Sequence, residues 1–232
     1  MESRPPVVDP TVRVPYAGEG LDDDAVAALR GTGPLAVLER WYADADADDR
    51  VSEPAAMVVA TVDADGRPDA RTVLLKGLDA RGLVFYTNLT STKARQLAAV
   101  PYAGAVLPWH PMFRQVRVRG PVEQVGRDDA AAYFATRPRE SQLGAWASHQ
   151  SRPVASRADL EEAVARQEAR FAGVDDVPLP DFWGGYRVRP AEVELWAGHR
   201  HRLHDRVRFA TRDGGPAPLD DASSWVVQRL QP

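Results

Sequence analysis

A chain of 232 residues with 44% hydrophobic content can bury a full core, and its formal charge of -4 argues against a general nucleic-acid binder, which needs an overall basic surface. It has no cysteine, which excludes disulfides, thiolate chemistry and cysteine-ligated metal. No stretch approaches the ~18 apolar residues of a membrane span, and the first residues lack the apolar run of a secretory leader, so a soluble cytoplasmic protein without membrane contact is expected.

Residues 1–20 hold four prolines and few apolar anchors, and read as an extended, flexible arm that orders only on a contact, with Arg13 and Tyr16 the candidates for making it. Residues 21–232 are expected to form a single domain. Apolar positions near helical spacing (Val26, Leu29, Leu35, Leu38, Trp41, Tyr42), broken by Gly31-Thr32-Gly33-Pro34, predict two short helices over 22–48. From Met57 the pattern turns to β, with three runs separated by turns at Asp65-Gly66 and Arg81-Gly82, as in an antiparallel meander. Ser91 or Thr92 can cap a helix through Leu97, and strands follow at about 103–108 and 114–125.

A helix from about Arg127 must end by Arg137, because Pro138 disfavours helical geometry in the residue before it; Tyr133 and Arg137 then share a face. A second helical piece runs to about Ser148. Residues 155–172 predict an amphipathic helix capped by Ser156, with Leu160, Val164, Gln167 and Phe171 along its stripe. Strands at 185–189, 192–197, 205–211 and 224–230 close the chain, and Trp183 and Trp225 are expected in the core. Many antiparallel strands with a few helices between them indicate an α+β, mainly antiparallel fold around a barrel or sandwich.

The segment from Trp196 to Arg206 sets Arg200, Arg202 and Arg206 among His199, His201 and His204. Clustered imidazoles could suit a metal, but three permanent cations repel one; guanidinium groups suit a phosphate, a carboxylate or an aromatic face. The plainer alternative is a solvated, arginine-rich strand end. No glycine-rich phosphate loop, GxSxG elbow or HExxH is present, so a bound phosphate must be held by Arg, Lys, Ser and Thr side chains. Arg71 and Lys76 lie five residues apart and point to opposite faces of one strand unless a bulge intervenes.

The motifs AMVVATVD, RTVLLKGLD, GLVFYTN, PWHPMFRQVRVRG, YFATRPRESQLGAWAS, QSRPV, WGGYRV, HRLHDR and the final RLQP, in that order, resemble the pyridoxamine (pyridoxine) 5'-phosphate oxidases. The resemblance covers residues ~35–232 and implies a Greek-key split β-barrel homodimer, with FMN at the subunit interface and both subunits lining each site. It implies FMN contacts from Arg71, Thr72, Val73, Leu74, Leu75, Lys76, Tyr86, Thr87, Thr92, Lys93, Gln115, Gln150, Ser151, Trp196 and Arg206. Lys76, Tyr133, Arg137 and Ser141 would hold a substrate phosphate, and Arg202 and His204 would lie over its pyridine ring as the catalytic pair. The implied reaction oxidises C4' of pyridoxamine or pyridoxine 5'-phosphate to the aldehyde, with O2 as final acceptor and peroxide as by-product. A phenazine-type flavin oxidase is the nearest alternative, and a non-catalytic flavin or pyridoxal-phosphate binding protein is another. A phenazine substrate has no phosphate and would not call for Tyr133, Arg137 and Ser141 together.

This chain departs from the family at Ser91-Thr92-Lys93, where Ser-Arg-Lys is usual, so one guanidinium is missing from the FMN phosphate site and Arg95 is the candidate replacement. Glu53 stands where aspartate is common, without evident consequence. The arm matches poorly, with Val14-Pro15 between Arg13 and Tyr16.

Overall fold

The computed structural model describes residues 15–16, 18 and 20–232; most of the expected arm, including Arg13, lies outside them. Two helices, α1 (Asp23–Leu29) and α2 (Leu35–Asp46), precede four strands: β1 (Ala56–Val62), β2 (Pro68–Leu74), β3 (Gly77–Asp79) and β4 (Gly82–Asn88). Helix α3 (Thr92–Ala99) leads into β5 (Tyr102–Trp109) and β6 (Arg114–Gln124). Three helices follow, α4 (Arg127–Ala135), α5 (Arg139–Ala147) and α6 (Arg157–Arg170), and then β7 (Trp183–Val188), β8 (Glu192–Ala197), β9 (Asp205–Thr211) and β10 (Trp225–Leu230).

The strands pair antiparallel throughout, in the order β10-β9-β8-β6-β5-β1-β2. β6 is long enough to serve two neighbours. Its first half pairs with β8 and its last residues, Val122–Gln124, pair with β7, which carries β4 and β3 beyond it. That switch turns a sheet into a split β-barrel whose interior holds Met57, Phe85, Trp109, Leu195 and Phe209, each at most 2% exposed. Truncating such a ring to alanine costs about 3–5 kcal/mol, so this cluster fixes the frame on which the site hangs.

The expected meander is broken between Leu75 and Lys76. Leu75 N still donates to Ala55 O beside β1, whereas Lys76 N donates to Val84 O on β4 (both 2.8 Å). The chain changes sheets at that peptide because Leu75 is drawn into the core and Lys76 stays exposed. Arg71 and Lys76 are thus parted by a corner, not merely by alternation along one strand.

Ser91, not Thr92, caps α3, accepting from Ala94 N at 3.4 Å, and Ser156 caps α6, accepting from Asp159 N. The α6 stripe is weaker than its spacing predicts. No residue within the helix is buried, Leu160 is 41% exposed, and only Phe171, just past its end, enters a core. That core is a second one, in which Phe134, Leu143, Phe171 and Trp183 join α4 and α5 to the start of β7. Trp183 and Trp225 are both buried, as expected.

Candidate active site

The expected site residues fall into two groups. The first surrounds the N-terminus of α3. Lys93 is 9% exposed, and its Nζ donates to Gln150 Oε1 (2.7 Å) and Thr87 Oγ1 (3.1 Å). Thr87 in turn donates to Gln150 Oε1 at 2.9 Å, and Thr92 N donates to Ser151 Oγ at 3.2 Å. These partners are neutral oxygens. An ammonium buried among them is short of a counter-charge, and burial first, then the nearby Arg71 guanidinium, lowers the Lys93 pKa from 10.5 to about 8. An anion placed here would restore it.

Arg71 stands on the same side, donating to Thr61 Oγ1 (2.6 Å), Val59 O (3.2 Å), Gln96 Oε1 (2.9 Å) and Asp69 Oδ2 (2.6 Å). Thr72 and Leu74 alternate to the opposite, exposed face of the edge strand β2, Val73 is half-buried and Leu75 is inside. At Thr92, where the resemblance led to the expectation of an arginine, Arg95 folds back: its guanidinium donates to Thr92 Oγ1 (3.0 Å) and Thr90 O (2.5 Å).

Tyr86 belongs to the same strand as Thr87 and reaches the α4–α5 corner. Its ring stacks on Tyr133, centroids 4.0 Å apart, and Arg137 lies 4.8 Å from the Trp183 ring centre. Arg137 lies two residues past the end of α4 at Ala135, so it and Tyr133 do not share the helix face that the spacing predicted. Its Nη1 is buried without a hydrogen-bond partner, and burial lowers its pKa. A half-buried guanidinium with one buried, unused donor is a second place fit for an anion. Ser141 lies in the first turn of α5, where the next residue, Gln142, donates through Nε2 to Phe134 O at 3.0 Å and ties the two helices together. Lys76 lines a cavity of about 470 Å³ together with Glu39 and Tyr42.

The second group lies on the other arm of the sheet. Gln115 on β6 pairs with Trp196 on β8, which pairs with Arg206 on β9, so strand register lines up three expected cofactor contacts. Arg206 grips the buried Glu194 through Nε (3.0 Å) and Nη2 (3.1 Å), and Arg117 reaches the same carboxylate at 3.0 Å. Glu194 was not foreseen as part of the site; its signal was a lone acid inside the apolar run Val193–Trp196.

His204 packs on Trp196 (4.8 Å between ring centres) and on Tyr16 (5.0 Å), and the Arg202 guanidinium lies 5.3 Å from the centre of the Tyr16 ring. Tyr16 is therefore the part of the arm whose contact can be described. Gly198 makes the room: a Cβ there would come 2.7 Å from Tyr16 Cδ1. His204 Nδ1 accepts from His199 N at 3.1 Å, which leaves the ring proton on Nε2. Burial, then the charges of Arg202 and His199, lowers its pKa, so at neutral pH it is an uncharged donor.

Among the described residues, no hydrogen bond, ion pair or ring contact joins the two groups. One gathers cations, of which Lys93 and Arg137 have no carboxylate partner among the described residues; the other presents an aromatic and guanidinium surface. Together with the antiparallel frame, they define a split-barrel protein built to hold phosphorylated ligands.

Comparison with known proteins gives the particular family. The pyridoxamine 5'-phosphate oxidase profile matches residues 43–170, and that of the pyridoxine 5'-phosphate oxidase C-terminal dimerisation region matches residues 183–232. A pyridoxine/pyridoxamine 5'-phosphate oxidase of Streptomyces avermitilis is 49% identical over 236 residues, covering 100% of both chains, and one of Nocardia farcinica is 50% identical over 221 residues (93% of this chain, 92% of that one). Among solved structures, PhzG of Burkholderia lata in complex with tetrahydrophenazine-1-carboxylic acid superposes with a TM-score of 0.76 at 32% identity, covering 87% of this chain and 93% of that one. A pyridoxamine 5'-phosphate oxidase-related, FMN-binding protein of Nostoc punctiforme shares the fold at 16% identity (TM-score 0.67, 88% of this chain and 100% of that one). The chain belongs to the pyridoxamine 5'-phosphate oxidase family.

Proposed function

We propose that this protein is an FMN-dependent oxidase converting pyridoxamine or pyridoxine 5'-phosphate to pyridoxal 5'-phosphate, with residues 21–232 acting as one oxidase unit in the cytoplasm. The observation that carries this reading is the pair of separate anion places, one at the buried Lys93 and one at the half-buried Arg137, neither with a carboxylate partner among the described residues. FMN and a phosphorylated B6 vitamer bring one phosphate each. A phenazine-type substrate brings no phosphate, and the curated relatives at 49–50% identity, against 32% for PhzG, make the PhzG likeness the weaker guide.

Lys93, Thr87, Gln150, Ser151 and Arg71 fit the FMN phosphate, since ammonium, hydroxyl, amide and guanidinium groups all donate to phosphate oxygens. Bound FMN supplies the hydride acceptor for C4', and O2 withdraws the electrons as peroxide. The chain's own work is to bind and orient. Tyr133, Arg137 and Ser141, with Lys76 reaching in from its corner, hold the substrate phosphate, and that remote binding energy sets C4' in place. Arg202 lays a planar cation over the pyridine ring, and His204 offers its Nε2 proton as a hydrogen-bond donor. Among the described residues the two groups share no hydrogen bond, ion pair or ring contact, and a complete site assembled across a homodimer would bring them together, in keeping with the match of residues 183–232 to a dimerisation region.

The test is anaerobic mixing of the FMN-loaded protein with pyridoxamine 5'-phosphate. The visible flavin band should bleach, then return on admitting air as pyridoxal 5'-phosphate forms; a band that stays unbleached with FMN bound would overturn the proposal.

A further inference from the structure

Trp183 opens β7 opposite Asn88, and two residues along each strand Gly185 faces Tyr86, so indole and phenol share one face of the ladder. The rings of Tyr86, Tyr133 and Trp183 are all within 10° of parallel, with centroids 4.0, 5.5 and 6.1 Å apart. Packed aromatics often meet at an angle instead, as Phe134 does against the same indole at 70°. Two local features impose the parallel stack. Gly185 leaves space for it, since a Cβ there would come 2.7 Å from Tyr86 Cδ1. Arg127, the first residue of the helix that carries Tyr133, donates to Trp183 O (3.0 Å) and Pro180 O (2.9 Å) and locks α4 onto the start of β7.

The Arg137 guanidinium rests on this platform, 4.8 Å from the Trp183 ring centre and 5.4 Å from that of Phe134. Among the described residues it has no carboxylate partner, and its Nη1 is buried with no acceptor. Rings hold it, not ions. An ion pair would have fixed the side chain but cancelled its charge and used its donors, whereas a π face fixes the plane and leaves both for a ligand.

We propose that Trp183 is the positioning residue of the substrate-phosphate clamp: its indole sets the plane of Arg137 and, through the stack with Tyr86, the phenol of Tyr133. Preference for phosphorylated over unphosphorylated vitamers then depends on a ring in the second core. This rests on the reading of Tyr133 and Arg137 as substrate-phosphate ligands given above.

The experiment compares holoenzymes carrying Trp183→Leu and Trp183→Phe with the unaltered protein, measuring kcat and KM for pyridoxine 5'-phosphate and for pyridoxine, and Kd for pyridoxal 5'-phosphate and for pyridoxal by calorimetry. Trp183→Leu should raise KM for the phosphorylated substrate about tenfold, between the sizes of an exposed and a desolvated cation–π contact, with a smaller fall in kcat and with Kd for pyridoxal 5'-phosphate rising in parallel. Values for pyridoxine and pyridoxal should not move, and Trp183→Phe, which keeps a smaller face, should recover most of the loss. Equal losses for both ligand classes would mark Trp183 as merely structural, and an unchanged preference would also overturn the role. Should Trp183→Leu fail to fold, Trp183→Phe and Gly185→Ala, which displaces Tyr86, are read for the same preference. An unaltered protein that oxidises neither vitamer would overturn the proposed function instead, a result distinct from either of these.

Discussion

The cradle around Lys93 and the segment from His199 to Arg206 hold comparable numbers of polar groups but are built in opposite ways. In the cradle, a capped helix and a central strand present side chains that already hydrogen-bond one another, so the geometry exists before any ligand arrives. In the segment, consecutive residues His201 and Arg202 take left-handed backbone angles (φ 59° and 65°), a conformation that costs non-glycine residues roughly 1–2 kcal/mol each. Its ends are pinned by Gly198 N donating to Phe113 O at 2.7 Å and by Arg206 on Glu194, with Asp205 paired to Arg229 and His199 N donating to His204 Nδ1 between them. A preformed cradle suits a cofactor that stays bound; a strained turn with exposed cations suits a surface completed by its ligand and a second copy of the chain.

Breaking the turn should give the largest effect. Arg202→Lys keeps the charge but loses the planar guanidinium, and kcat should fall about a hundredfold, the usual scale for a misplaced substrate, while FMN content stays normal. Turnover close to that of the unaltered enzyme would show that Arg202 does not orient the ring.

The cradle is probed next. Lys93→Met removes a charge-assisted contact worth roughly 1.5–3 kcal/mol, and FMN Kd should rise at least tenfold. The pH dependence sharpens this. With a folded pKa of about 8 against an ordinary 10.5, the unfolded chain holds more protons in that window, so Lys93 adds stability to the apoprotein as pH rises from 8 to 10.5. FMN binding carries the opposite sign: above pH 8 the protein must take up a proton to pair the phosphate, and affinity should fall. Titrations from pH 7 to 9.5 should show that fall in the unaltered protein and lose it in Lys93→Met; a slope that survives the substitution would assign it to another group.

Glu194→Gln tests the pinned end of the turn. It leaves Arg206 and Arg117 facing each other across a neutral amide. Breaking a buried pair costs 3–5 kcal/mol in general, but both arginines are partly exposed, so roughly 1–2 kcal/mol is expected here. The melting temperature should drop by several degrees and FMN affinity should weaken; an unaltered melting curve would mean that Arg206 is held without Glu194.

Much of this arrangement was legible in the chain. Strand and helix positions followed from alternation and from caps such as Ser156, but Arg137 falls past the end of α4 and so does not share a helix face with Tyr133. The corner at Leu75 was not, because RTVLLK reads as one strand and only pairing with two different partners, Ala55 and Val84, reveals the change of sheet. The weak burial of α6 escaped for a related reason: its stripe is apolar enough for a core, but whether a core lies opposite is a tertiary matter. The Glu194 clasp and the Trp183 stack depend on register between strands far apart in sequence, which periodicity within each strand cannot supply.

The smallest effect concerns the one place where this cradle departs from its family. With threonine at position 92, the guanidinium expected there is absent, yet Arg95 brings its own over the same hydroxyl from one turn later in α3. Its reach is longer and its setting exposed, so it is screened by solvent and loses more side-chain freedom on fixing its geometry. Arg95→Ala should therefore weaken FMN binding only roughly two- to threefold at low salt, and the difference should vanish near 1 M salt. Thr92→Arg in the same background should restore affinity beyond the starting level, because a guanidinium in the first turn of α3 stands nearer the cradle. If Arg95→Ala instead costs as much as Lys93→Met, the replacement is complete, and the cradle is as strongly charged as one with arginine at position 92.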